Sequence, residues 1–269
     1  MKLVTVRSGK ASHKGMVRSR NEDGLLSMEL SSVEGTEGMF FGLYAVADGI
    51  GGCEGGEIAS NLALRVLAES IVKSLLLPRL RPEMHSLNKE FVLQALTEGV
   101  DVANNGIYIQ AQTKGNNMGT TLAVVLIINA TAYIANVGDS RIYLLEGEQL
   151  RQVTTDHSLV ASLVAAGEIT PEEIYTHPRR NIITRCLGMQ PEIEVDIFVE
   201  ELKSADSLLV CSDGLWEMVR DDEIKDVVLR AQNPQAVCEQ LIELANQNGG
   251  VDNVSMIVAK VVGYEAQHG

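Results

Sequence analysis

The spacing of apolar residues along the chain predicts four helices. Residues 57–77 repeat apolar side chains at helical intervals, and Pro78 ends that pattern. The same spacing predicts a second helix over about residues 87–112. Near the end of the chain it predicts two more, over residues 221–231 and residues 233–246, with Asn233 as the cap of the last one. The helices therefore fall into an early pair and a late pair.

β-branched runs predict strands in the middle and at the end of the chain. Residues 120–154 consist of short runs of this kind separated by turn residues, which predicts an antiparallel meander whose strands pair with their sequence neighbours. Three further strands are predicted over residues 192–199, 207–211 and 254–261. Residues 157–188 are interrupted by glycine and proline, which predicts an irregular excursion of the kind that forms lids or binding loops.

The order of these elements predicts the fold class. Helices and strands do not alternate one for one, as they do in parallel α/β proteins. Two packed antiparallel sheets covered by helices explain the order better, which predicts an α+β sandwich of four α-β-β-α layers. No linker and no block of charge divides the 269 residues. A single domain over residues 1–264, followed by a tail of residues 265–269, is therefore predicted.

Four aspartates stand where apolar strands begin or end. Asp48, Asp139 and Asp213 close three such runs beside a glycine, and Asp252 precedes a fourth. Buried strands would gather these carboxylates at one rim of the core, where two of them about 4 Å apart repel by roughly 4 kcal/mol at an effective dielectric of about 20. Asp-Gly is also an ordinary turn dipeptide. The set of four nevertheless favours a hard-cation site for magnesium or manganese.

The charge balance and the cysteines exclude several classes of protein. The chain has 22 Lys and Arg against 36 Asp and Glu, a formal net charge of −14, which disfavours nucleic acid or an anionic membrane as a partner. The four cysteines show no paired spacing, which indicates free thiols and excludes a zinc finger. The apolar stretches are too short to span a bilayer and the first residues lack a signal-peptide core, so a cytoplasmic location is expected.

The common catalytic motifs of hydrolases are missing from the sequence. The glycine-rich run at residues 49–56 matches neither the P-loop nor the dinucleotide pattern. No cysteine has an arginine six positions later, which excludes the nucleophile of tyrosine phosphatases, and neither Gly-x-Ser-x-Gly nor His-Glu-x-x-His occurs. Water activated by a metal remains as the favoured chemistry.

Eight short motifs follow one another along nearly the whole chain. They are GMVRSRNED at residues 15–23, VADGIGG at 46–52, GTT at 119–121, NVGDSR at 136–141, DHS at 156–158, HPRRN at 177–181, CSDGL at 211–215 and DNVS at 252–255. Together they resemble the protein phosphatase 2C family, its bacterial branch most closely. The resemblance implies magnesium- or manganese-dependent hydrolysis of phosphoserine and phosphothreonine on proteins. It also implies a dinuclear metal site at one end of a helix-flanked sandwich of two antiparallel sheets.

The resemblance further implies which residues hold the metals. Asp48 would bridge two ions, and the carbonyl of Gly49 would bind one of them. Asp213 and Asp252 would hold the other ion. Asp139 would form a weaker third site with Asp213, although a turn aspartate bonded to its own neighbours is the alternative.

Arg18 and Asp23 are implied as catalytic residues. Arg18, five positions before Asp23, matches the arginine with which the family binds the substrate phosphate, and its planar fork suits a bidentate contact. The alternative is that Arg18 is a surface residue in a solvent-exposed ion pair. Glu22 and Asp23 would act on the metals mostly through metal-bound water.

The chain departs from many bacterial relatives at Cys53, where they carry a histidine that is a candidate proton donor to the leaving oxygen. A neutral thiol is a poor substitute, so water, free or metal-bound, and His157 become candidate donors, although a structural role for His157 is favoured. The excursion resembles the family's flap, where His177, Arg179 and Arg180 would meet acidic segments of a phosphopeptide, although an ordinary solvated face is the alternative. Trp216, the only tryptophan, is predicted to anchor the core.

Three classes of function are compatible with these residues. The favoured one is an active, monomeric phosphatase that acts on phosphorylated proteins and opposes a serine/threonine kinase. The second is a catalytically silent module that binds phosphoproteins on the same fold. The third is a calcium-binding structural domain, which the lack of an EF-hand loop disfavours.

Overall fold

The computed structural model of the protein describes residues 3–34, 37–51, 55–80 and 88–265. Cys53 and the predicted tail beyond residue 265 lie outside the described residues. The strands, in chain order, are β1 Leu3–His13, β2 Gly24–Glu34, β3 Glu37–Ala47, β4 Gly49–Ile50, β5 Gly119–Thr120, β6 Leu122–Ile128, β7 Thr131–Val137, β8 Arg141–Glu146, β9 Gln149–Gln152, β10 Asp196–Glu201, β11 Ser207–Cys211 and β12 Val254–Glu265.

All four predicted helices form, and their caps explain where they begin. The helices are α1 Gly55–Ile71, α2 Leu77–Arg79, α3 Lys89–Lys114, α4 Leu159–Ala165, α5 Asp213–Trp216, α6 Asp221–Arg230 and α7 Pro234–Gln247. A π-helical turn, Val72–Leu76, joins α1 to α2. Asn233 caps α7 as predicted, since its Oδ1 accepts the Ala236 N–H at 2.9 Å. Pro78 is the second residue of α2, which continues the helical chain from α1, and the helix ends one residue later at Arg79.

Two five-stranded antiparallel sheets form the centre of the molecule. Their strand orders are β1-β12-β11-β8-β9 and β10-β7-β6-β3-β2, and β4 pairs with β5 in a small separate ribbon. Aliphatic side chains such as Val46, Val125 and Ile257 fill the space between the sheets. Helices α1 and α3 cover the outer face of the second sheet, and α5, α6 and α7 cover the outer face of the first. The α-β-β-α sandwich predicted from the element order is confirmed.

The predicted meander is wrong at one connection. β6 pairs with β7 and β8 pairs with β9, but β7 and β8 belong to different sheets. The free edge of β7 pairs with β10 and that of β8 pairs with β11, so these long-range pairings separate two strands that are neighbours in sequence. The chain crosses between the sheets at Gly138–Ser140, and Gly138 has a φ of 112° that favours glycine.

Smaller differences concern strand limits. β10 begins at Asp196 rather than at residue 192, and β12 runs to Glu265, one residue into the predicted tail. The division into domain and tail remains a prediction. The cysteines within the described segments, Cys186, Cys211 and Cys238, are free thiols, as predicted. Among the described residues, no helix is long and apolar enough to cross a bilayer.

Candidate metal centre

The strand ends bring four aspartates together at one rim of the sandwich. Asp48 directly follows β3, Asp213 begins α5 just after β11, and Asp252 precedes β12. Asp139 lies in the crossing between β7 and β8. The Asp48 carboxyl interacts electrostatically with those of Asp213, Asp23 and Asp139, and Asp213 also interacts with Asp252. The predicted clustering of carboxylates is therefore confirmed, with Asp23 as a further member.

Burial and mutual repulsion raise the pKa values of these carboxyl groups. The pKa of Asp48 rises well above its ordinary value because of burial first and then Asp213, and that of Asp213 because of burial and then Asp139. Burial raises the pKa of Asp23 to about 6, and burial with the charge of Asp156 raises that of Asp139 to about 7. Without an added positive charge, part of this cluster therefore holds protons near neutral pH.

Three buried carboxylate oxygens of the cluster have no hydrogen-bond partner among the described residues. They are Oδ1 of Asp23, Oδ1 of Asp139 and Oδ1 of Asp213. An unsatisfied buried polar atom costs on the order of 1–3 kcal/mol, and anionic oxygens are the ligands that magnesium and manganese prefer. The residues therefore fit a hard divalent cation. No three His, Cys, Asp or Glu side chains form a compact ligand group in the described segments, so backbone carbonyls and water would complete the coordination.

Hydrogen bonds from other strands fix Asp23 and Asp48 in place. The Ser212 hydroxyl donates to Oδ2 of Asp23 at 2.8 Å. The backbone N–H of Asp48 donates to the Thr121 hydroxyl at 2.9 Å, and the Asp48 carbonyl accepts the Thr120 hydroxyl at 2.8 Å. Sequence reasoning assigned no role to these three hydroxyl residues. Their signal was present, because they lie in the GTT and CSDGL motifs.

Asn253 joins the N-terminal loop to the cluster and was also missed. Its Oδ1 accepts the backbone N–H of Glu22 at 2.7 Å, and its Nδ2 donates to the carbonyls of Lys14 and Arg20 at 2.9 and 2.8 Å. Glu22 thereby lies at the cavity beside Asp252, and burial is the main cause that raises its pKa. The position of Asn253 directly after Asp252 was the available signal.

Gly49 and Gly56 approach each other too closely for any side chain. A Cβ on Gly49 would overlap the backbone of Gly56, and a Cβ on Gly56 would meet Oε2 of Glu22 and the carbonyl of Gly49. The two glycines therefore let the turn after β3 pack against the start of α1. The close packing places the Gly49 carbonyl beside the Glu22 carboxylate, where an oxygen ligand is needed.

Arg18 lies at the mouth of the cluster. Its Nη2 donates to Oδ2 of Asp252 at 2.6 Å, and its side chain is 55% exposed. The hydrogen bond to Asp252 is the main cause that raises the pKa of Arg18, with further contributions from the charges of Asp213 and Asp48. Arg18 lines a cavity of about 700 Å³ together with Asp48, Asp213 and Asp252. The geometry places an exposed positive charge where an anionic ligand would enter.

The flap residues border this cavity, and His157 lies beneath them. Asn181 and Ile183 line both the cavity and a neighbouring one of about 590 Å³. Arg180 lies 3.5 Å from Glu217. His157 is buried, its Nδ1 accepts a backbone N–H and its Nε2 lies 3.2 Å from Asp196, so both ring nitrogens are engaged inside the protein. Burial also lowers the pKa of His157. His157 is therefore unsuited to protonate a leaving group.

Comparisons with known proteins agree with this arrangement. A family model described as protein phosphatase 2C matches residues 23–249. The serine/threonine phosphatase stp of Listeria welshimeri is 37% identical over 225 residues, which cover 81% of this chain and 84% of that protein. The structure of the serine/threonine phosphatase PstP/Ppp of Mycobacterium tuberculosis has a TM-score of 0.80 at 34% identity, covering 97% of this chain and 100% of that one. A PstP catalytic domain in complex with two manganese ions has a TM-score of 0.79 at 33% identity, with the same coverage.

Proposed function

The chain belongs to the protein phosphatase 2C family, and we propose that the carboxylate cluster is the site at which it hydrolyses phosphoserine and phosphothreonine on proteins. The family's enzymes are metal-dependent serine/threonine phosphatases, so this chain is a phosphoric monoester hydrolase. One observation carries the location of the site. Buried oxygens of Asp23, Asp139 and Asp213 lack a hydrogen-bond partner among the described residues, and Asp48, which interacts electrostatically with all three carboxyl groups, lines an open cavity that Arg18 borders.

Two manganese or magnesium ions are the cofactors. We propose that the Asp48 carboxylate would serve both ions, that the Gly49 carbonyl would hold one of them and that Asp213 and Asp252 would hold the other. Glu22 and Asp23 act on the ions mostly through water. When bound, the ions lower the pKa of water to generate a nucleophile and offset the charge on the phosphoryl oxygens.

A weaker third ion is proposed at Asp139 and Asp213. After burial, the charge of Asp139 contributes most to raising the pKa of Asp213. Each carboxyl group has an oxygen without a hydrogen-bond partner in the described part of the chain. Asp139 and Asp213 would each supply one carboxylate, which is a small ligand set. The third ion would therefore bind less tightly than the two ions near Asp48.

The chain's own residues bind the substrate and move protons around it. Arg18 exchanges its contact with Asp252 for a bidentate contact with the substrate phosphate, which its exposed position allows. Asp23 has a buried Oδ1 without a hydrogen-bond partner among the described residues, and that atom can accept a proton. The Ser212 hydroxyl holds the other oxygen of Asp23 and keeps the carboxyl oriented.

The substrates are phosphoproteins, and a serine/threonine kinase that phosphorylates the same proteins is the proposed counterpart. The wide cavity bordered by Arg18, Asn181 and Ile183 suits a phosphorylated side chain presented on a protein surface. A monomeric state and a cytoplasmic location remain predictions from the sequence.

Phosphate release from a phosphoserine peptide tests the proposed function. We expect turnover with manganese, none after treatment with a chelator, and recovery when manganese is restored. The silent-module alternative predicts metal-dependent binding of the phosphopeptide with no phosphate release. The calcium-domain alternative predicts calcium binding and no hydrolysis with any metal. Chelator-resistant turnover would contradict all three.

A further inference from the structure

The turn Gly138–Ser140, called the Asp139 turn below, connects the two sheets and belongs to neither ladder. Regular strand pairing therefore does not fix the direction in which the Asp139 carboxylate points. Its side chain makes no hydrogen bond through Oδ1, although the residue is only 2% exposed. The Ser140 hydroxyl contacts Thr121 at 2.7 Å and anchors the far end of the turn. The rest of the turn is held by two side chains that the proposed mechanism does not use.

Trp216 holds the turn from the side of the first sheet. Its Nε1–H donates to the carbonyl of Asp139 at 3.0 Å, and the residue is 1% exposed. The guanidinium of Arg141 lies 3.7 Å from the centre of the indole, and Arg141 is itself bonded to Asp156 through two of its nitrogens. The indole is thus buried and stacked against a guanidinium that Asp156 holds in place. Its N–H therefore donates to the Asp139 carbonyl from a fixed position.

His157 holds the turn from the side of the flap. Its Nδ1 accepts the N–H of Gly138 at 3.0 Å, and its own backbone N–H donates to the Gly138 carbonyl at 2.9 Å. Because an amide N–H can only donate, Nδ1 accepts in this bond, while Nε2 lies 2.9 Å from Nη1 of Arg185 and 3.2 Å from Oδ2 of Asp196. Arg185 donates to the other oxygen of Asp196 at 2.8 Å and completes the support of the ring.

We propose that Trp216 and His157 are positioning residues for the weakly bound third cation. They hold the Asp139 turn so that the Asp139 carboxylate faces Asp213, and they touch neither the cation nor the substrate. This inference rests on the proposed function, because it assumes that Asp139 and Asp213 share an ion. It assigns the two side chains a role in metal affinity in addition to their place in the core.

The variant Trp216→Phe tests whether Trp216 positions the Asp139 turn. Phenylalanine keeps a ring below Arg141 but removes the N–H that Asp139 accepts. We expect calorimetric titration with manganese to show two tight ions unchanged and the affinity for the third reduced roughly threefold to tenfold, the loss of one hydrogen bond. The matched control is Tyr143→Phe, since the Tyr143 hydroxyl accepts a hydrogen bond from the same Arg141 at 3.1 Å and donates one to Asp221 rather than to Asp139. The control should lower the melting temperature and leave the third affinity unchanged.

A pair of His157 variants tests the second support even if Trp216→Phe folds poorly. Asparagine places an acceptor near the position of Nδ1, whereas glutamine places its polar group near Nε2. We expect His157→Asn to retain the third affinity and His157→Gln to weaken it. Trp216 is the only tryptophan, and it lies against the Asp139 carbonyl, so the further quenching of its fluorescence after the two tight ions are bound follows the third ion in both variants.

The outcomes separate this inference from the function on which it rests. Wild-type protein that binds no manganese at all would overturn the proposed function. Two tight ions and a third that is lost in Asp139→Asn, but is equally strong in Trp216→Phe and His157→Gln, would overturn the inference alone. Equal weakening in Trp216→Phe and Tyr143→Phe would also overturn it, because it would reveal a general loss of packing.

Discussion

Two groups of buried charge adjoin at one end of the sandwich and differ in how they are compensated. In the first, Arg141 and Asp156 form an ion pair at 2.7 Å, and both side chains are 4% exposed. In the second, Asp23, Asp139 and Asp213 each leave a buried oxygen without a partner. The first group is complete within the chain and contributes to the fold. The carboxylates of the second group need positive charge from a bound cation, and a bound cation can take part in catalysis.

The largest expected effect is on activity, and it comes from removing one carboxylate of the second group. Asp213→Asn should lower phosphate release by roughly 10³-fold, since several kcal/mol of transition-state stabilisation by a bound cation is lost. The fold should persist, because one of the repelling carboxylates has been removed. Kinetics on a phosphoserine peptide, with circular dichroism, measure both. Asp226→Asn, at an exposed ion pair with Arg230, is the matched control and should keep full activity.

A substitution in the ion pair of Arg141 and Asp156 should instead reduce the stability of the protein. Asp156→Ala leaves Arg141 buried and without its carboxylate, so the free energy of unfolding should fall by about 3–5 kcal/mol. Urea unfolding measures this difference. The exposed pair of Glu69 and Lys73 provides the comparison, and Glu69→Ala should change the free energy of unfolding far less, because water and salt screen an exposed ion pair. Equal losses in the two variants would remove the distinction between the groups.

Arg18 allows the contact with the phosphate to be tested apart from the metals. Arg18→Ala should raise KM for a phosphopeptide roughly 10- to 100-fold, because a charge-assisted hydrogen bond to the phosphate is lost. Arg18→Lys should recover only part of the loss, since an ammonium cannot make the bidentate contact. Steady-state kinetics at saturating manganese measure both. Lys14→Ala, in the same loop, should behave as wild type, and an unchanged KM in Arg18→Ala would refute the assignment.

The smallest expected effect is a pH dependence of stability confined to the metal-free protein. The pKa of Asp23 is raised to about 6 and that of Asp139 to about 7, from 3.8. The folded state therefore holds protons that the unfolded chain releases above pH 4, so stability falls as the pH rises from about 4 to about 7. Calorimetry with a chelator should show the melting temperature falling by several degrees across this window. Saturating manganese should abolish the fall, and a rise without metal would contradict the prediction.

Local signals made part of the fold predictable. The helical spacing of residues 221–231 and the cap at Asn233 led to α6 and α7, because a helix and its cap depend on residues within a few positions of each other. The clustering of Asp48, Asp139 and Asp213 was also predictable, since each aspartate ends an apolar run. The crossing between β7 and β8 was not, because it depends on pairing with β10 and β11, more than fifty residues away in the chain.

The amino-acid sequence alone determined the family, the layers of the sandwich and the carboxylates available for metal. Only the tertiary structure decided which groups orient those carboxylates. Thr121 holds Asp48, Ser212 holds Asp23 and Trp216 holds the Asp139 carbonyl, across 73, 189 and 77 residues of chain. It also decided that Asp156 is neutralised by Arg141 while Asp139, beside it, is not. Sequence spacing specifies which residue types are present, but the compensation of a buried charge depends on which distant side chains the folded core brings within hydrogen-bonding distance.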